Sequence, residues 1–193
     1  DDVAAAKGEA EGLATMRTLI AKNSRNSERI FPYIGGQEVN TDPAQAYRRY
    51  VIDFFDRPLR RVPEMKSWKE MTEGERARCR VDGLVPADYP DEVAEDWPDL
   101  IEIVRRLVKP LRDKQKRPAL MTRWWQFAEK RPGLYATIAP LRHVLVMSRI
   151  SPQFAIVQLP TGMVYSIECN VFAFFTFGPF SVLQSRVHEL WAL

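Results

Sequence analysis

The chain has 193 residues, 46% hydrophobic and 27% charged, with a formal net charge of +3. That is enough apolar material for one good core, or for one domain and a small lobe. No run of about 18 apolar residues occurs and no secretory signal is visible, so neither a membrane span nor export is expected.

Cys79 and Cys169 stand far apart in unlike surroundings, as expected of a reducing, cytoplasmic setting rather than a disulfide framework. The two histidines, His143 and His188, lie near neither cysteine, which speaks against a zinc site. His143, inside an apolar run, is expected to be a satisfied structural residue. The chain starts Asp1-Asp2 without Met and stops at Trp191-Ala192-Leu193, inside a helical pattern, so a fragment of a longer polypeptide is expected.

The distribution of charge says more than its total. From Asp82 to Glu102 there are eight acidic residues and no Lys or Arg. From Arg105 to Arg131 there are ten basic residues against Asp113 and Glu129, and from Arg48 to Arg80 ten basic against six acidic. Such blocks mark either a solvated face or a stripe that attracts phosphate.

Residues 1–23 carry Leu13, Met16, Leu19 and Ile20 on one face and predict an amphipathic helix, closed by the polar Asn23–Ser27. Pro32 favours extended backbone around it, and Gly35-Gly36 a tight turn with positive φ. Tyr50–Phe55 reads as a strand. Residues 57–89 are polar and broken by Pro58, Pro63 and Pro86; they predict an inserted loop or lobe with a short helix near Trp68–Arg80. Asp96 is a candidate N-cap, with Pro98 in the first turn of a helix bearing Leu100, Ile101, Val104, Leu107, Val108 and Leu111. Pro110 should end or kink it.

Pro118 opens a second predicted helix, Ala119–Lys130, containing Arg123-Trp124-Trp125-Gln126-Phe127. The paired indoles are either a stacking surface for bases or core, the commoner use. Pro132-Gly133 breaks that helix. His143–Met147, Phe154–Leu159, Met163–Ser166 and Val171–Phe177 predict strands, and Pro179 begins a last helix with Val182, Leu183, Val187, Leu190 and Trp191 on its apolar side. The expected class is α+β: a mixed or antiparallel sheet of short strands packed with several helices. The expected organisation is an N-terminal helix or linker (1–23), a first part of the main domain (24–56), an insert (57–95), and helices with the central sheet (96–193).

Between the two central strands lies Ser148-Arg149-Ile150-Ser151-Pro152-Gln153. Pro152 stops the ladder and biases Ser151 to extended backbone. Arg149, Ser151 and Gln153 would then stand on a stiff base at a sheet edge, and their side chains suit the edges and backbone of a nucleic acid. An ordinary polar turn is the alternative. No Gly-x-Gly loop, no Pro-Pro catalytic loop, no Gly-x-Ser-x-Gly elbow and no nucleophile–base spacing occurs. Asp53 or Asp56 with Glu64-Met65-Lys66 faintly echoes the carboxylate and lysine set of metal-dependent nucleases, although Pro63 sits where a strand would be needed.

Several segments, in order, carry a resemblance. They are Asn23-Ser24-Arg25-Asn26, Phe31-Pro32-Tyr33-Ile34-Gly35-Gly36-Gln37-Glu38-Val39-Asn40 and Tyr50-Val51-Ile52-Asp53-Phe54. Later come Trp97-Pro98-Asp99-Leu100, Val108-Lys109-Pro110, Arg123-Trp124-Trp125-Gln126-Phe127, Val144–Ser151 and Leu183–Trp191. Together they resemble the target-recognition region of large bacterial adenine-N6 DNA methyltransferases, among them fused type II restriction-modification enzymes and related phage-defence methylases.

The resemblance implies an upstream methyltransferase domain of the same polypeptide, which would hold S-adenosylmethionine and the catalytic motifs. This chain itself would carry no cofactor, metal or catalytic residue. The parent enzyme would methylate adenine N6 after flipping the base from the duplex. The implied partner is double-stranded DNA, with Arg149, Ser151 and Gln153 reading bases and Arg48, Arg49, Lys114, Lys116, Arg117 and Arg123 gripping phosphates. The chain departs from relatives at Pro152-Gln153-Phe154, where they carry charged residues, and in the insert at 57–95. A protein-interaction module, with the acidic block facing a basic partner, and a Mg-dependent nuclease are the competing readings.

Overall fold

Glycines, prolines and one aspartate set several of the element boundaries. The computed structural model describes residues 1–151, 154–174 and 176–192, with the backbone alone at residue 192. The helix expected over 1–23 is two: α1 (Asp2–Ala6) and α2 (Leu13–Lys22). Gly8, at φ +74°, turns the chain between them. β1 (Ile30–Ile34), α3 (Gly36–Thr41) and β2 (Arg49–Ile52) follow. The strand expected over Tyr50–Phe55 stops at Ile52 because Asp53 turns the backbone: its carboxylate accepts the Phe55 N–H at 2.7 Å, and Phe55 sits at φ +53°.

The insert is ordered around a core of its own. β3 (Arg60–Val62) leads through α4 (Glu73–Asp82) to β4 (Leu84–Pro86), which pairs with it in parallel. Thr72 and Glu75 form a capping box at the start of α4, and Gly83 at φ +78° ends it. Trp68, Met71, Cys79, Val85, Tyr89 and Val93 fill the space beneath.

Next come α5 (Pro98–Leu107), α6 (Lys109–Arg112) and α7 (Pro118–Thr122). α5 buries Leu100, Ile101 and Val104, the spacing that predicts it, and Pro110 kinks the chain into α6. Asp96 does not cap α5. Its carboxylate accepts the Val93 N–H at 2.9 Å and pairs with Arg61 at 2.7 Å, and Trp97 holds the cap position. The helix expected over Ala119–Lys130 ends at Thr122. Beyond the break at Arg123 both indoles are buried, Trp124 8% and Trp125 2% exposed. The indole pair is core, and the Trp125 N–H donates to the Arg57 carbonyl at 2.9 Å.

α8 (Pro132–Ile138) stands where a break was expected, because Pro132 occupies the first helical turn rather than stopping it. β5 (His143–Ser148), β6 (Ile156–Pro160), β7 (Val164–Tyr165) and β8 (Cys169–Phe172) follow, then α9 (Phe177–Leu183) and α10 (Arg186–Ala192). β5 is central in an antiparallel β6-β5-β8 sheet, with Val144 opposite Leu159 and Val146 opposite both Val157 and Val171. β7 pairs in parallel with β1 in a second sheet, β2-β1-β7. The protein is thus α+β, with mixed and antiparallel sheets of short strands.

The chain forms two compact units, Asp1–Ile30 with Ile52–Ala128, and Phe31–Val51 with Glu129–Leu193. The helices α5 to α7 therefore group with the lobe at 57–95 rather than with the central sheet. The first unit has a main core of Phe54, Ala94, Trp97, Leu100, Ile101, Val104, Trp124 and Trp125. The second is built on Ile34, Val39, Ile138, Val144, Val146, Leu159, Met163, Tyr165 and Cys169. Among the described residues no helix is long and apolar enough to cross a membrane.

Candidate nucleic-acid interface

The chain leaves the central sheet at Ser148, and hydrogen bonds fix how it leaves. The Arg149 N–H donates to the Glu168 carbonyl at 2.7 Å. The Ile150 carbonyl accepts from Ser148 Oγ at 2.8 Å and from Asn40 Nδ2 at 3.1 Å. A carbonyl with two donors has both lone pairs engaged, so this peptide plane is held from two sides. The loop that supplies Glu168 is itself braced: Arg131 Nη1 donates to the Ser166 and Cys169 carbonyls at 3.2 and 3.4 Å.

Gly36 allows the close approach. It is buried, and a Cβ on it would lie 2.7 Å from Ser148 Oγ. The expected positive-φ turn is absent; Gly35 is extended, at φ −121° and ψ −179°, and precedes α3. The glycine pair is needed for space rather than for left-handed backbone.

Of the three base-reading candidates, Arg149 is exposed, with one long bond from Nη1 to the Ile167 carbonyl at 3.4 Å. That leaves most of its planar fork for a bidentate contact. Ser151 is half-buried beside it. Gln153 lies outside the described residues. Asn40 and Glu168, which hold the elbow, escape sequence reading. Asn40 ends the Phe-Pro-Tyr-Ile-Gly-Gly segment, but nothing local announces a partner 110 positions away.

The phosphate candidates divide by unit. In the second unit, Arg49 makes a bidentate pair with Glu38, Nε to Oε1 at 2.7 Å and Nη2 to Oε2 at 2.6 Å, and lies over the Tyr33 ring. Burial disfavours the Glu38 charge, but the Arg49 guanidinium and the Gly35 N–H outweigh it and hold the carboxyl below the usual carboxylate range. Arg49 is a brace whose charge is matched. Arg48 is 81% exposed at its side chain and only loosely paired with Asp42, at 3.4 Å.

In the first unit, Arg105 pairs with Glu95 and Glu102, Arg106 with Glu11, and Lys109 with Asp113. Lys114, Lys116 and Arg117 are exposed between α6 and α7, and Arg123 is half-exposed. Among the described residues these four make no ion pair. The unpaired charge of the basic run therefore includes Lys114, Lys116, Arg117 and Arg123. Lys116→Ala is expected to lower the slope of log K against log salt for duplex binding by about 1; an unchanged slope in a salt titration would remove Lys116 from the phosphate set.

The nuclease echo finds no assembled site. Asp53 is buried against the Phe55 N–H, Lys66 pairs with Glu75 at 3.3 Å, and Glu64 is exposed. Among the described residues no group of three His, Cys, Asp or Glu is placed to hold a metal ion. His143 is exposed at the start of β5 rather than buried. Both cysteines are buried free thiols, and burial pushes Cys169 up to about 11, far from a reactive thiolate. Comparison with protein-family models, curated proteins and solved structures gives no match.

Proposed function

We propose that the chain is the DNA target-recognition domain of an S-adenosylmethionine-dependent adenine-N6 DNA methyltransferase of a restriction-modification or phage-defence system. The catalytic core and the cofactor belong to the upstream methyltransferase domain of the same cytoplasmic polypeptide. Double-stranded DNA is the partner. One observation carries the reading: two segments of the resemblance that lie about a hundred residues apart in sequence, residues 31–40 and 144–151, build a single structure. Gly36 and Asn40 of the first clamp the elbow of the second, so that Arg149 is presented from a fixed backbone.

Pre-positioning is what base readout needs, because a bidentate arginine contact discriminates only if its fork is aimed. Arg48, Lys114, Lys116, Arg117 and Arg123 supply the sequence-independent attraction to phosphate. The interaction-module reading loses support from the acidic block, since six of its eight charges are engaged internally. Asp88 accepts from Ser67 and from the Trp68 N–H, and Glu92, Glu95, Asp96, Asp99 and Glu102 pair with arginines or Lys22.

Arg149→Ala tests the reading. Selection from a random duplex library is expected to show relaxed preference at one base pair, equivalent to about 1–3 kcal/mol of lost discrimination, with the remaining positions unchanged. Uniform weakening at every sequence would show that Arg149 only meets phosphate.

A further inference from the structure

Ile150, two residues past the end of β5, is 86% exposed, more than any other large apolar side chain among the described residues. An exposed isoleucine on a loosely held loop is ordinary. Here the backbone from Ser148 to Ile150 is held by hydrogen bonds. The Ile150 carbonyl takes two donors, the preceding N–H is bonded to Glu168, and Ser148 beneath is 3% exposed. A β-branched side chain is also stiff at χ1. The result is a short, rigid apolar point beside the exposed cation of Arg149.

That pairing is the chemistry by which proteins enter a duplex. The cation takes a phosphate or base edge, while the apolar side chain inserts between base pairs, unstacks one step and bends the helix. We propose that Ile150 is an intercalating wedge that unstacks one base step of bound DNA next to the bases met by Arg149. The proposal rests on the recognition reading above. An unstacked step also lowers the cost of extruding a base nearby, since part of the lost stacking is already offset by burial of the isoleucine.

The test uses the whole chain and duplexes drawn from the pool it selects, with 2-aminopurine substituted at successive positions. Binding is expected to raise the fluorescence at one step. Ile150→Leu retains that rise. Ile150→Ser, which leaves the fold intact because the side chain is in water, abolishes it and weakens binding about tenfold. Two results would overturn the wedge while leaving the recognition reading standing: no rise at any step on wild-type binding, or Ile150→Ser binding as tightly as wild type with an unchanged rise. In either case Arg149→Ala would still shift the selected motif. A chain that binds no duplex would overturn the wedge through the recognition reading itself.

Discussion

Replacing Trp97 by alanine is expected to cost about 3–5 kcal/mol of stability, a large share of the roughly 5–15 kcal/mol available to a domain. Trp97 is fully buried in the main core of its unit and packs against Phe54. Its indole N–H donates to the Arg25 carbonyl at 3.0 Å. The guanidiniums of Arg25 and Arg29 each lie 4.6 Å from its ring centroid, and that of Arg57 lies 5.6 Å away. Glu92 pairs with all three arginines, which keeps the cations gathered around the ring. Alanine would remove the ring, the hydrogen bond and the face on which the cations rest. Trp97→Phe keeps a ring and loses the indole bond, so about 1–3 kcal/mol is expected. Urea unfolding followed by circular dichroism measures both. A Trp97→Ala protein within 1 kcal/mol of wild type would show that this cluster does not organise the first unit.

Gly83→Ala is expected to cost about 2–5 kcal/mol, from two effects that add. At φ +78° any L-side chain is strained, by about 1–2 kcal/mol. The new Cβ would also press into the Trp125 ring, 2.5 Å from Cζ2, which adds about 1–3 kcal/mol of overpacking. Neither side can yield easily. The Gly83 carbonyl accepts from the Leu59 and Arg60 N–H groups at 2.8 and 3.1 Å, and Trp125 is pinned by its bond to the Arg57 carbonyl. A double-mutant cycle separates the effects. Trp125→Leu opens the contact, so the Gly83→Ala, Trp125→Leu pair should cost less than the sum of the single changes. Strict additivity would mean that the backbone strain acts alone.

What could be read from the sequence was local. The strands at His143–Ser148 and Ile156–Pro160 and the helix at Pro98–Leu107 follow from runs of Val and Ile, and from leucine and valine spacing, that need no partner to interpret. α8 was hidden because a Pro-Gly pair marks a helix start as well as a stop. The indole pair Trp124-Trp125 suits core or base stacking by residue type alone, and its packing in the cluster of Phe54, Trp97 and Leu100 decides for core. Asp96 has the residue type of an α5 cap, yet Arg61 and the Val93 N–H compete for it.

The candidate site shows the same division. Arg149 and Ser151 could be named from the break between two strands. The clamp that holds them joins Asn40 to Ile150 and Gly36 to Ser148, contacts made by folding that no local pattern encodes. Likewise the Arg48-Arg49 pair looks like two equivalent cations, but Glu38 lies 11 positions back and takes the second of them.

The most direct test is binding of the chain to a random-sequence duplex library at low and high salt, with the bound fraction sequenced. A target-recognition domain is expected to enrich a defined motif and to bind far more weakly as salt rises. Binding that ignores salt and enriches no motif, or no binding at either salt, would contradict it.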